Sequence, residues 1–110
     1  MASGNETRDL FDENGFLLDP GQWNRDLAQS IALDLGLGDL NADHWGVIYF
    51  IRAHYLACGS LPWPPHVCRE LELGQRCVRR LFGGPLEAWK VAGLPDPGEE
   101  ARTYMENEEP

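Results

Sequence analysis

The chain has 110 residues and a formal net charge of −9, enough for one small domain with a marginal core and the wrong overall sign for holding nucleic acid. No apolar run approaches a membrane span, and the start Met1-Ala2-Ser3-Gly4-Asn5-Glu6 has neither the basic nor the apolar part of a secretory signal. Three cysteines without framework spacing argue against a disulfide scaffold, so the expectation is a cytoplasmic monomer with reduced thiols.

Residues 1–8 read as disordered. The stretch "LFDENGFLL" (10–18) then reads as a hairpin, with Asn14-Gly15 as a two-residue type I′ turn flanked by Phe11 and Phe16. Asp19-Pro20 ends it and opens a first helix over about 22–35, where Trp23, Leu27, Ile31 and Leu35 recur every four residues and Gly36 supplies the stop. Asn41 or Asp43 caps a second helix over roughly 42–58. Its apolar residues, from Trp45 through Val47–Ile51 to Tyr55 and Leu56, cover most of the circumference, the pattern of a central buried helix. Pro62, Pro64 and Pro65 make a stiff connector. Short helices follow at about 65–72 and 75–82 around Gly74, and a last one runs from Pro85 to near Ala92-Gly93. Pro95 and Pro97 are expected to stop any further helix, leaving 98–110 as an acidic disordered tail. The class is mostly α: a small orthogonal domain of about five helices over 9–97 with an N-terminal β-hairpin and a flexible C-terminal arm.

Spacing alone names no active site. His54, Cys58, His66 and Cys68 hold metal-ligating atoms, but in no familiar zinc pattern, and neither a metal nor a cofactor is expected. Cys58 and Cys77 read as small core residues. Cys68 is the candidate reactive thiol, because it sits in the first turn after Pro65, where free backbone N–H groups favour a thiolate, and Arg69 adjoins it. The charge is uneven: residues 51–95 carry six bases against three acids, whereas 96–110 carry six acids and one arginine. "HVCRELELGQRCVRRLF" (66–82) has a helix-turn-helix outline with Arg76, Arg79 and Arg80 on one face, a possible phosphate contact that the global charge disfavours. The acidic tail is a candidate salt-sensitive mask for that basic segment.

Three blocks in order, "FDENGFLLDPGQW", "DHWGVIYFIRAHY" and "GGPLEAWKVAGLPDP", resemble the DsrC/TusE family of sulfur-relay proteins across about residues 10–100. The resemblance implies a small helical domain whose mobile arm ends in a sulfur-carrying cysteine. It also implies a relay toward tRNA 2-thiolation or dissimilatory sulfur metabolism, and protein partners of the DsrEFH/TusBCD or sulfite reductase kind. Aligned without a gap through "AWKVAGLPDPGEE", the family's upstream arm cysteine falls on Trp89 and its terminal one on Glu100. A carboxylate cannot hold sulfane sulfur. The expected role is therefore a non-catalytic binding or regulatory relative. Arg69, Arg76, Arg79, Arg80, Lys90 and Glu100 are its candidate contact residues. The alternatives are a sulfur carrier using Cys68 and a DNA-binding regulator.

Overall fold

The computed structural model describes residues 10–106; the expectation for 1–8 lies outside them. Among the described residues six α-helices follow one another: α1 (Arg25–Asp34), α2 (Ala42–Cys58), α3 (Pro64–Glu70), α4 (Cys77–Phe82), α5 (Pro85–Val91) and α6 (Glu99–Glu106). They pack around one core built from Phe16, Ala28, Ile48, Val67, Phe82, Trp89 and Leu94 among others. No described helix is long and apolar enough to cross a membrane.

The hairpin is shorter than its sequence suggests. Among the described residues it amounts to a single antiparallel bridge, Phe11 to Leu17. The turn is also displaced by one residue. Gly15 N–H donates to Asp12 O, Asp12 N–H to Phe16 O, and only Gly15 has positive φ (+88°). That is a tight turn over Glu13-Asn14 followed by a glycine bulge, in place of a type I′ turn at Asn14-Gly15. The cause is Asp12, whose Oδ1 accepts from Asn14 N–H (2.8 Å) and Phe16 N–H (3.0 Å). It supplies locally what a longer ladder would otherwise supply.

Asp19 caps a 3-10 turn over Pro20–Gln22, and α1 begins only after Asn24, whose side chain accepts from Leu27 N–H. Helix α2 opens on a capping box. Asn41 Oδ1 accepts from His44 N–H, and His44 Nδ1 accepts from Asn41 N–H. His44 Nε2–H then donates to Leu81 O at 2.9 Å, fixing the tautomer and tying α2 to α4. The apolar circumference of α2 is not uniformly buried. Val47, Ile48 and Ile51 are inside, Trp45 and Tyr55 are half-buried, and Tyr49 and Leu56 are exposed. Among the described residues the five shorter helices offer too little surface to enclose a helix of this length on every side.

The larger difference is the tail. Residues 99–106 form a helix packed on α5, and Met105 on it is 3% exposed. The prolines precede this helix and cannot stop it. Glu99 and Glu100 favour its first turn through the helix dipole. Asp96 Oδ1 accepts from Gly98 N–H (2.9 Å) and from Arg102 Nε (3.1 Å), which fastens the turn that launches it. The arm is thus helical over 99–106, where the sequence suggests irregular chain.

Candidate functional site

The root of the arm is a clamp. Helix α5 ends in a Schellman motif, with Gly93 N–H donating to Lys90 O and Leu94 N–H to Trp89 O. Gly93 takes φ +70°, and a β-carbon there would run into the Trp23 side chain. Trp23 Nε1–H donates to Val91 O (2.9 Å). Arg52 lies over the Trp23 ring at 4.2 Å and donates to Ala92 O (2.8 Å) and Pro20 O (3.3 Å). Partial burial lowers the Arg52 pKa from its ordinary value, partly offset by Tyr49, yet the guanidinium remains a cation on the free carbonyls of the α5 terminus.

Trp89 faces the other way along the same root. It is 1% exposed, packs edge-on against Tyr55 at 5.4 Å, and donates from Nε1 to Pro95 O at 2.7 Å. A cleft of about 490 Å³ runs past it, bounded by Trp63 and Pro64 on one side and by Pro97, Ala101 and Tyr104 of the arm on the other. Glu100 is exposed in the first turn of α6. The two positions where the resemblance places arm cysteines are thus a core anchor and a solvent-facing carboxylate.

The basic segment has a different construction. Helix α3 ends in its own Schellman motif, with Glu72 N–H on Arg69 O and Leu73 N–H on Cys68 O. Its left-handed residue is Glu72 (φ +57°), and Arg76 (φ +59°) repeats that backbone immediately before α4. Cys68 and Cys77 meet across this turn in a disulfide, Cα to Cα 5.6 Å. This corrects the expectation of reduced thiols with Cys68 as a free nucleophile. The two cysteines are nine residues apart, a separation that reveals nothing until the turn folds α4 back onto α3. Cys58, expected in the core, is the exposed free thiol.

The candidate contact residues do not converge. Arg76 precedes α4 and is not on its helical face, so Arg76, Arg79 and Arg80 do not form one stripe. Arg80 donates to Leu73 O at 2.6 Å, and Arg69 meets His66 Nδ1 at 3.2 Å. With six residues, α4 is about 9 Å long, short for a recognition helix. Lys90 lies elsewhere, with Nζ 5.2 Å from the centre of the Phe16 ring beside the hairpin turn. Among the described residues no group of three or more His, Cys, Asp or Glu side chains could hold a metal. His54 Nδ1 instead donates to Ser60 O at 2.9 Å.

The model of the family "DsrC like protein" matches residues 4–99. The chain belongs to the DsrC-like family. Similar relatives of this DsrC-like chain include the sulfurtransferase TusE of Salmonella choleraesuis, 36% identical over 95 residues spanning 78% of this chain and 86% of the relative. The sulfurtransferase TusE homolog of Haemophilus influenzae is 37% identical over the same shares. Two solved structures share the fold. Dissimilatory sulfite reductase I (DsrI) superposes with a TM-score of 0.70 at 30% identity, covering 80% of this chain and 86% of that one. The oxidized gamma-subunit of the dissimilatory sulfite reductase (DsrC) from Archaeoglobus fulgidus gives 0.69 at 28% identity, covering 81% and 89%. The helical class, the family and its sulfur-relay character are therefore as the sequence indicates.

Proposed function

We propose that this DsrC-like chain is a cytoplasmic binding or regulatory member of a sulfur-relay system, one that docks on relay partners without carrying sulfur on its arm. The observation that carries the reading is residue 100. At the position the ungapped arm assigns to the terminal carrier cysteine stands Glu100, exposed on an ordered helix. Persulfide transfer needs a thiolate that attacks and is attacked at sulfur. A carboxylate offers only the negative charge of such a tip. Glu100 accordingly presents that charge to a partner pocket and blocks it. The partner class is a sulfur-transfer complex of the DsrEFH/TusBCD kind or a sulfite reductase.

The test is calorimetric titration of the full chain into a purified complex of that kind. Saturable binding is expected, weakened about tenfold, or ~1.4 kcal/mol, in Glu100→Ala. Absence of binding overturns the reading. So does sulfur from a persulfide donor that accumulates on Cys58, Cys68 or Cys77 and passes to the partner, which would favour the carrier alternative.

A further inference from the structure

A cleft of about 560 Å³ opens beside the disulfide. Cys68 lines it together with Arg69, Glu72, Gly74 and Arg76, and Cys77 does not. The two residues differ in the same sense, although both are buried: Cys68 retains 4% exposure and Cys77 none. Cys77 N–H donates to Cys68 Sγ at 3.1 Å, fixing that sulfur behind the cleft wall to which Cys68 contributes. Both arginines are exposed, so the approach to that sulfur is rimmed by two cations against one carboxylate, Glu72.

We propose that Cys68–Cys77 is a thiol–disulfide exchange site whose co-substrate is a low-molecular-weight thiol bearing carboxylates, captured in this cleft and directed to Cys68. The incoming thiolate attacks Cys68 Sγ. The Cys68–Cys77 bond breaks, and Cys77 leaves as a thiolate that takes a proton from water. A second thiol then attacks the sulfur of the bound thiol and releases Cys68. The protein disulfide has gained two electrons, and two thiols have become one small-molecule disulfide. Arg69 and Arg76 bind the carboxylates, because a guanidinium pairs with a carboxylate through parallel N–H donors. Opening the bond also unfastens the turn that holds Glu72 and Arg76 in left-handed backbone, so exchange is coupled to the shape of the cleft. This inference involves no residue of the arm and stands or falls separately from the role of Glu100.

The test uses the oxidised full chain with Cys58→Ser, which removes the exposed free thiol. Glutathione or the uncharged 2-mercaptoethanol is added, the reaction is stopped with a maleimide, and peptides are mapped by mass spectrometry. The expected product is glutathione on Cys68 with maleimide on Cys77. Its rate should exceed that of 2-mercaptoethanol several-fold at equal thiolate concentration and fall with added salt. Arg69→Ala with Arg76→Ala should abolish that preference by lowering the glutathione rate to that of 2-mercaptoethanol, with the fold verified by an unchanged far-ultraviolet circular dichroism spectrum. Glutathione found first on Cys77, equal rates for the two thiols, or a disulfide that opens only when the chain is unfolded would each overturn the proposal.

Discussion

The arm root and the cysteine turn are built on the same backbone device and spend it differently. Both are helix ends closed by a Schellman motif. At Gly93 the left-handed residue is glycine, and two aromatic side chains and a guanidinium lock the carbonyls around it. At Glu72 the left-handed residue bears a side chain, the next non-glycine residue in that backbone is an arginine, and a covalent bond closes the turn. The root is therefore held by packing that no redox change can alter. The cysteine turn is held by a bond that chemistry can open. In a family whose relatives include sulfurtransferases, this chain has its paired sulfurs at a cleft away from the arm.

Four measurements would break or sharpen that contrast. The largest effect is expected at the root. Gly93→Ala places a methyl group against Trp23 and in left-handed backbone, and should lower stability by about 3 kcal/mol in urea unfolding, the combined scale of overpacking and backbone strain. Cys68→Ser with Cys77→Ser should cost about 2–3 kcal/mol, the scale for a short disulfide loop, with the loss matched by adding reductant to the wild type. If Gly93→Ala proves the milder change, the root is less rigid than its contacts imply.

Met105→Ala comes next. It removes the one buried side chain of α6, and about 2 kcal/mol, the low end for a buried methionine, is expected because a short helix held by one buried residue can shift to refill the space. The loss should appear as faster amide exchange confined to 98–106, with protection in α2 and α5 unchanged. Spread of the effect into α5 would mean that arm and core unfold together. The smallest effect is Asp96→Ala, which breaks a half-exposed pair with Arg102 and one turn hydrogen bond. About 0.5–1 kcal/mol is expected, with the ionic part lost in high salt.

Much of this was legible beforehand because it depends on local signals. Asn41 and the aromatic-rich run after it mark α2 with the bounds it has, and Gly36 stops α1 through the αL position it occupies. Pro85 opens α5 for the same kind of reason. The start of α6 carried a signal too: Asp96, a proline, a glycine and then two glutamates is how a helix begins, and Ala101 with Met105 are one turn apart. High charge density concealed it. The turn at Asp12 was masked by the stronger Asn-Gly motif two residues on. The disulfide was not legible at all, because its geometry arises from α4 folding back on α3, a tertiary fact with no trace in a nine-residue spacing. The same holds for the division of labour among Arg69, Arg76, Arg80 and Lys90, which lie on three helices and the turn between two of them.

Leu94 is the last fully enclosed residue before the arm, and Met105 is the sole buried side chain of the helix beyond it. A seam therefore runs through Pro95–Gly98, on one side of which a substitution is felt by the whole domain and on the other by a single helix. Residues past the seam can exchange chemical character, thiol for carboxylate or acid for base, at little cost to the globule that displays them. Such a domain can keep its scaffold while its tip changes trade, and a new activity there would begin as a handful of surface substitutions on an already finished body.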